Sequence, residues 1–176
     1  MKNSFVFDEA TGSYKIYFNS GKFFLIDQTD FPEVSKYSWQ HGKRGYPICH
    51  YPRDENGKSK TVTLHRFLLG EKAINLDVDH ISGDKLDNRR SNLRVCSHQE
   101  NMFNQNLRST NTSGYIGVSQ MKSAGKYEAY IHPNGKKISL GTYTDIVEAA
   151  TVRDRAALKH FGKFARLNFP VGAVTA

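Results

Sequence analysis

Cysteine is scarce in this chain: only Cys49 and Cys96 occur in 176 residues, far apart and with no CxxC. That excludes a disulfide framework and a structural zinc cluster of the usual thiolate kind, and it fits a reducing cytoplasm. Long apolar runs are also missing, since no stretch approaches the roughly 18 residues of a membrane span. The opening "MKNSFVFDEATGSY" contains acids and no long apolar segment, so neither a leader nor a membrane partner is expected. Tryptophan occurs once, as Trp39, read as a core residue. Acidic side chains are the minority, 17 against 25 basic ones, for a formal charge of +8. The excess is uneven: residues 1–105 hold 15 Lys+Arg against 13 Asp+Glu, and residues 106–176 hold 10 against 4. A positive surface of this kind favours a polyanion, with plain solubility as the alternative.

What is present divides into a β-rich first part and a polar, basic second part. "SYKIYFNSGKFFLID" reads as two strands around Asn19-Ser20-Gly21, and "TVTLH" reads as a strand ahead of the short apolar "RFLLG", with Asn56-Gly57 as a turn. "NQNLRSTNTSG" has no acid and the composition of a linker, which puts the domain boundary there. The expected layout is a β-rich region 1–59, a unit 60–105, a linker 106–113, a domain 114–170 and a tail 171–176.

In the last domain, Asn134-Gly135 predicts a two-residue hairpin turn, because both residues tolerate positive φ. Alternation then puts Ala129, Ile131, Ile138 and Leu140 on one face, and Tyr130, His132, Lys137 and Ser139 on the other. "DIVEAATVRDRAALKHFGK" predicts a helix opened by the Asp145/Glu148 capping box and closed by Gly162. Its alanines 149, 150, 156 and 157 let it lie close on the apolar sheet face and leave the other face uncovered. A sheet of this kind can lay its strands in a DNA groove.

The densest chemistry lies in "VDHISGDKLDNRRSNLRVCSHQEN". Asp79 and His80 end an apolar, strand-like entry, Gly83-Asp84 turns the chain, and Ser97 with Glu100 predicts a helix start that places Asn101 in its first turns. One carboxylate and one amide oxygen are hard ligands that hold a divalent ion while leaving positions for phosphate oxygens and water. A neighbouring imidazole can take a proton from that water at neutral pH. Arg89, Arg90 and Arg94 can neutralise phosphate or simply solubilise the surface.

Asp79-His80, Asn92 and Asn101, in that order and spacing, resemble the HNH endonuclease motif in its HNN variant. The likeness to phage and bacterial homing-type enzymes extends from "LHRFLLG" to "NMFNQN". The resemblance implies a ββα-metal fold, with Asp79 and Asn101 holding magnesium or manganese, His80 as general base and Asn92 bracing the loop that orients His80. It further implies products with 5′-phosphate and 3′-hydroxyl ends. It makes His65 structural and Arg66 a phosphate contact. His98 falls three residues short of the ligand position, although a register in which it replaces Asn101 stays open.

Ser113 to Pro170, with "SGYIGVS", "KYEAYI" and the segment ending "ARLNFP", resembles the plant ethylene-response-factor (Apetala) DNA-binding domain. That resemblance puts Ser119, Met121, Tyr130, His132, Lys137 and Ser139 on the groove side. The plant domains carry arginines where this chain has Ile116, Ser119 and Met121, and each lost arginine removes about 1–3 kcal/mol of guanine discrimination. Lys122, Lys126 and Lys136 then supply nonspecific attraction, and the linker around Arg108 either tracks the backbone or a groove of bound DNA or is a passive tether.

The expectation is an α+β protein: a β-rich region with a ββα-metal unit, then a three-stranded antiparallel sheet on one helix. It would be a metal-dependent endonuclease of duplex DNA, nicking one strand per protomer, a monomer or weak dimer in a bacterial or phage-infected cytoplasm. The alternatives are a DNA-binding regulator with an inactive HNH unit, and a protein directed at RNA.

Overall fold

In the computed structural model, residues 3–53, 55–104, 107, 110–122 and 125–170 are described. The chain divides into two compact units, Met1–Ser97 and His98–Ala176.

The first unit opens with β1 (Phe5–Asp8), β2 (Ser13–Tyr17) and β3 (Phe23–Asp27), an antiparallel meander in which β3 is an outer strand. The turn between β2 and β3 is the expected one: Gly21 takes φ 81, and Phe18 N donates to Lys22 O at 2.8 Å. A short helix α1 (Phe31–Val34) follows, and then a second antiparallel sheet of β4 (Gln40–His41), β5 (Pro47–His50) and β6 (Thr61–Thr63). Phe24, Ile26, Val34, Trp39, Cys49 and Leu64 are buried together and join these elements into one core. Trp39 is in it as expected, and its indole N–H donates to Val34 O at 2.9 Å.

The expected strand "TVTLH" is cut short. It pairs only to Thr63, and Leu64–Leu69 form helix α2, which ends where Gly70 takes φ 50. Leu, His, Arg, Phe and Leu in succession favour a helical turn once Leu64 is pulled into the core, and this outweighs the β-branched residues before it. The unit closes with a two-stranded antiparallel hairpin, β7 (Asp77–His80) and β8 (Leu93–Cys96), in which Asp79 faces Arg94 and His80 faces Leu93.

The second unit begins with helix α3 (His98–Phe103), directly after Ser97 as the capping box predicts. Phe103 stacks on Phe161 with centroids 4.1 Å apart, and Gln99 bonds to Asn134. The two strands and the helix of the expected ββα arrangement therefore fall in different units. Strands β9 (Val118–Gln120), β10 (Tyr127–Ile131) and β11 (Ile138–Tyr143) form an antiparallel sheet with β10 central. Helix α4 (Ile146–Phe161) lies on it, with Ala149 and Ala150 in one buried cluster with Val118 and Ala129. Asp145 caps α4 by accepting from Val147 N at 2.7 Å, and Gly162 ends it at φ 52.

Asn134 and Gly135 both take positive φ, 54 and 76 degrees, and Lys136 N closes the turn onto Pro133 O. The alternation of faces needs one correction. Tyr130 pairs with Ser139 but Ala129 pairs with Gly141, so Leu140 is the extra residue of a β-bulge and the strict period is broken there. Ile138, expected in the core, shares a face with Ile131 yet remains 40% exposed at the strand's start.

Candidate functional site

Hairpin β7–β8 puts Asp79 and His80 side by side, 7% and 4% exposed. Burial lowers the imidazole's pKa, while its contact with Asn88 and the charge of Asp79 partly oppose this, so His80 is neutral at pH 7. Its Nε2 lies 3.3 Å from Asn88 Oδ1. Asn88 in turn donates from Nδ2 to Lys85 O at 3.2 Å, which fixes the amide's orientation. With its proton on Nε2, the neutral ring carries its basic lone pair on Nδ1.

Two further aromatic rings wall this imidazole: His65 edge to face at 5.2 Å, and Tyr46 at 5.8 Å. His65 is buried, and burial together with the charges of His80 and Arg66 pushes its pKa down to about 3. Its Nε2 is 3.0 Å from Thr63 Oγ1, whereas its buried Nδ1 has no hydrogen-bond partner among the described residues. Burial and the Asp79 charge raise the Tyr46 phenol's pKa.

Asn92 bonds across the loop: its Oδ1 accepts from Ser82 N at 2.9 Å, and its Nδ2 donates to Asp87 O at 2.7 Å. The bond to the His80 ring comes from Asn88, four residues before Asn92.

The arginines expected to meet phosphate are engaged inside the unit. Arg94 donates from Nε and Nη2 to Asp79 Oδ2, at 2.8 and 2.6 Å. Arg89 grips both oxygens of Asp87, at 2.8 and 2.6 Å, and this pairing holds the Asp87 carboxyl below the usual range despite its burial. Arg90 lies on Asp30 at 2.6 Å. Arg66 donates to Ala73 O and Leu76 O, at 3.2 and 3.0 Å. Asp30 and Asp87 are the acids that sequence reasoning missed; only the one close in sequence, Asp87 next to Arg89, left a local signal.

Asp79 offers a hard carboxylate for a divalent cation, and Asn101 on α3 in the second unit offers an amide oxygen. No group of three or more His, Cys, Asp or Glu that could hold a metal occurs among the described residues. A carboxylate such as Asp79 is a hard donor suited to such a cation, and Arg94 is a competing charge on it.

On the second unit's sheet, Ser119 and Glu128 face each other across β9 and β10, and Glu128 ion-pairs with Lys137 at 2.7 Å. Lys137 also lies over the Tyr130 ring at 4.7 Å. The outer face therefore carries an acid that the sequence reading left out. Met121, Lys122, Lys126, His132, Lys136 and Ser139 are exposed and Tyr130 half-buried. Ser119, Tyr130 and His132 also line a cleft of about 1030 Å³ with His98, Gln99 and Met102 of α3. Arg108 lies outside the described residues. No helix among the described residues is long and apolar enough to cross a membrane.

Comparison with known proteins bears on both units. Residues 70–103, which include Asp79, His80, Asn92 and Asn101, match the family model for HNH endonuclease. Protein 3.8 of Escherichia phage T7 is 30% identical over 89 residues, 51% of this chain and 73% of that protein. An AP2-like ethylene-responsive transcription factor of Arabidopsis thaliana is 37% identical over 70 residues, 34% of this chain and only 16% of the plant protein. A solved structure of the HNH homing endonuclease I-HmuI matches 90% of this chain and 91% of its own at 19% identity and a TM-score of 0.34. An uncharacterised HNH endonuclease of Acanthamoeba polyphaga mimivirus is 33% identical over 153 residues, 84% of this chain and 75% of that protein. With that coverage of both chains, and with the motif residues inside the matched segment, this chain belongs to the HNH endonuclease family.

Proposed function

We propose that this chain is a metal-dependent, homing-type DNA endonuclease that nicks one strand per protomer, positioned on duplex DNA by its C-terminal sheet and helix. The observation that carries the reading is the pair at the end of β7: a carboxylate, Asp79, next to an imidazole kept neutral by burial and oriented by Asn88. A general base must be unprotonated at working pH and held in one orientation, and His80 meets both conditions.

In this reading Asp79 and Asn101 hold magnesium or manganese. When bound, the ion supplies charge stabilisation at the phosphate and the leaving oxygen. His80 Nδ1 receives the proton of the attacking water, and Asn92 keeps the loop closed around the ring. Lys122, Lys126 and Lys136, on the second unit, attract the DNA backbone, with Ser119, Met121, Tyr130, His132 and Ser139 towards a groove. Arg66 and Arg90, whose side chains are nearly half exposed, reach phosphate from the first unit.

One observation favours a second reading, a DNA-binding regulator with an inactive HNH unit: Arg94 already neutralises the carboxylate that should hold the metal. A plasmid-nicking assay with magnesium or manganese separates the two. The nuclease reading expects open-circular product from the wild type and a loss of about 100-fold or more in His80→Ala, the scale of a general base. Intact supercoiled plasmid with both proteins, alongside retained duplex binding, establishes the regulator instead.

A further inference from the structure

We infer that Asn88 is a positioning residue for His80, and that the N-terminal meander, through Leu25 of β3, is what holds Asn88 in place. The inference rests on the nuclease reading for its functional meaning, but its geometry lies wholly within the first unit.

Asn88 is completely buried. Rotating its amide by half a turn would set Oδ1 against the Lys85 carbonyl and Nδ2 against the His80 N–H, so the observed orientation is the one that satisfies both neighbours. The Asn88 backbone is fixed from outside the motif. Leu25 N donates to Leu86 O at 2.8 Å, and Asn88 N donates to Leu25 O at 2.9 Å, forming a parallel bridge between Leu25 and Asp87. Residues 86–88 thus act as a short added strand on the outer edge of β3. Two residues on, Arg90 N donates to Asp27 Oδ2 at 2.7 Å and its guanidinium rests on Asp30. Lys85 Nζ reaches Arg44 O at 2.9 Å.

The segment 85–90 is therefore gripped along its length by residues 25–44, about sixty positions earlier at its centre. Asn92 closes the same loop on its other side through Ser82 and Asp87. The two asparagines divide the work: Asn92 keeps the loop shut, and Asn88 sets the tautomer and plane of the base. The N-terminal region, which carries no catalytic motif of its own, is on this view a required part of the catalytic unit.

The test uses the full chain labelled with ¹⁵N-histidine, with His80 assigned by its loss in His80→Ala. Wild type shows His80 as the Nε2–H tautomer. Asn88→Ala is expected to shift it to a mixture and to lower kcat for nicking by about 10–100-fold, the usual cost of removing an orienting partner, with KM for plasmid unchanged. Leu25→Pro removes the N–H that grips Leu86, and is expected to move tautomer and kcat the same way. If Asn88→Ala does not fold, Leu25→Pro decides. An unchanged His80 tautomer, or a change confined to KM, overturns the inference. A wild type that nicks nothing with any divalent ion sinks the nuclease reading, while the tautomer comparison still decides the positioning role.

Discussion

His65 and His80 meet edge to face inside the first unit, and burial keeps both from taking the proton that an unfolded chain accepts near pH 6.5. Their folded pKa values lie below the unfolded one, so between the two the unfolded state binds more protons. Stability therefore falls as pH drops below about 6.5, by up to about 1.4 kcal/mol per pH unit for each histidine, and for His65 the loss continues to about pH 3. Urea unfolding at pH 7, 6 and 5 in metal-free buffer should show this loss. His65→Phe, which keeps a ring in place, should flatten it by one histidine's share, and an undiminished slope would contradict the neutral assignment. Arg94 gives a second test at this scale. Arg94→Met strips the counter-charge from buried Asp79, and breaking such a pair costs about 3–5 kcal/mol. Manganese should raise the melting temperature of Arg94→Met more than that of wild type, because a ligand that binds only the folded state stabilises it. Equal shifts would mean that Arg94 and the ion do not compete for Asp79.

At the scale of elements, the features legible in the sequence are those whose chemistry is local. Asp145 and Gly162 bracket α4 because a cap and a stop act within one turn, and Asn134-Gly135 makes its turn because both residues accept positive φ. Asp145→Ala should cost about 0.5–2 kcal/mol in thermal or denaturant unfolding, the value of a lost N-cap. No change would mean that tertiary packing alone fixes the start of α4. Asp79, His80, Asn92 and Asn101 were legible as a spacing, but their surroundings were not. That Arg90 pairs with Asp30, that 86–88 joins the edge of β3, and that Leu140 bulges out of register are all long-range outcomes. Periodicity in a short window reports which residues are apolar, not which distant carboxylate or strand edge a loop will meet. The same limit explains the end of β6 at Thr63, where burial of Leu64 decided between strand and helix.

Across the whole molecule, the ion pairs reassign where attraction for a polyanion resides. Residues 1–105 carry 15 basic against 13 acidic side chains, and Arg89, Arg90 and Arg94 are each matched to an aspartate. Residues 106–176 carry 10 against 4, and Lys122, Lys126 and Lys136 are exposed there. Phosphate contacts release counterions, so each lysine that reaches the backbone of duplex DNA adds close to one unit to the slope of log affinity against log salt. The double variant Lys122→Ala with Lys126→Ala should reduce that slope by about 2, measured by fluorescence anisotropy on the full chain across a salt series. Arg89→Ala should leave the slope almost unchanged and instead lower stability, since it leaves Asp87 without its partner at the edge of the His80 loop. If the two variants flatten the slope equally, Arg89 exchanges its aspartate for phosphate when DNA binds, and the first unit's ion pairs are contacts held in reserve rather than scaffold.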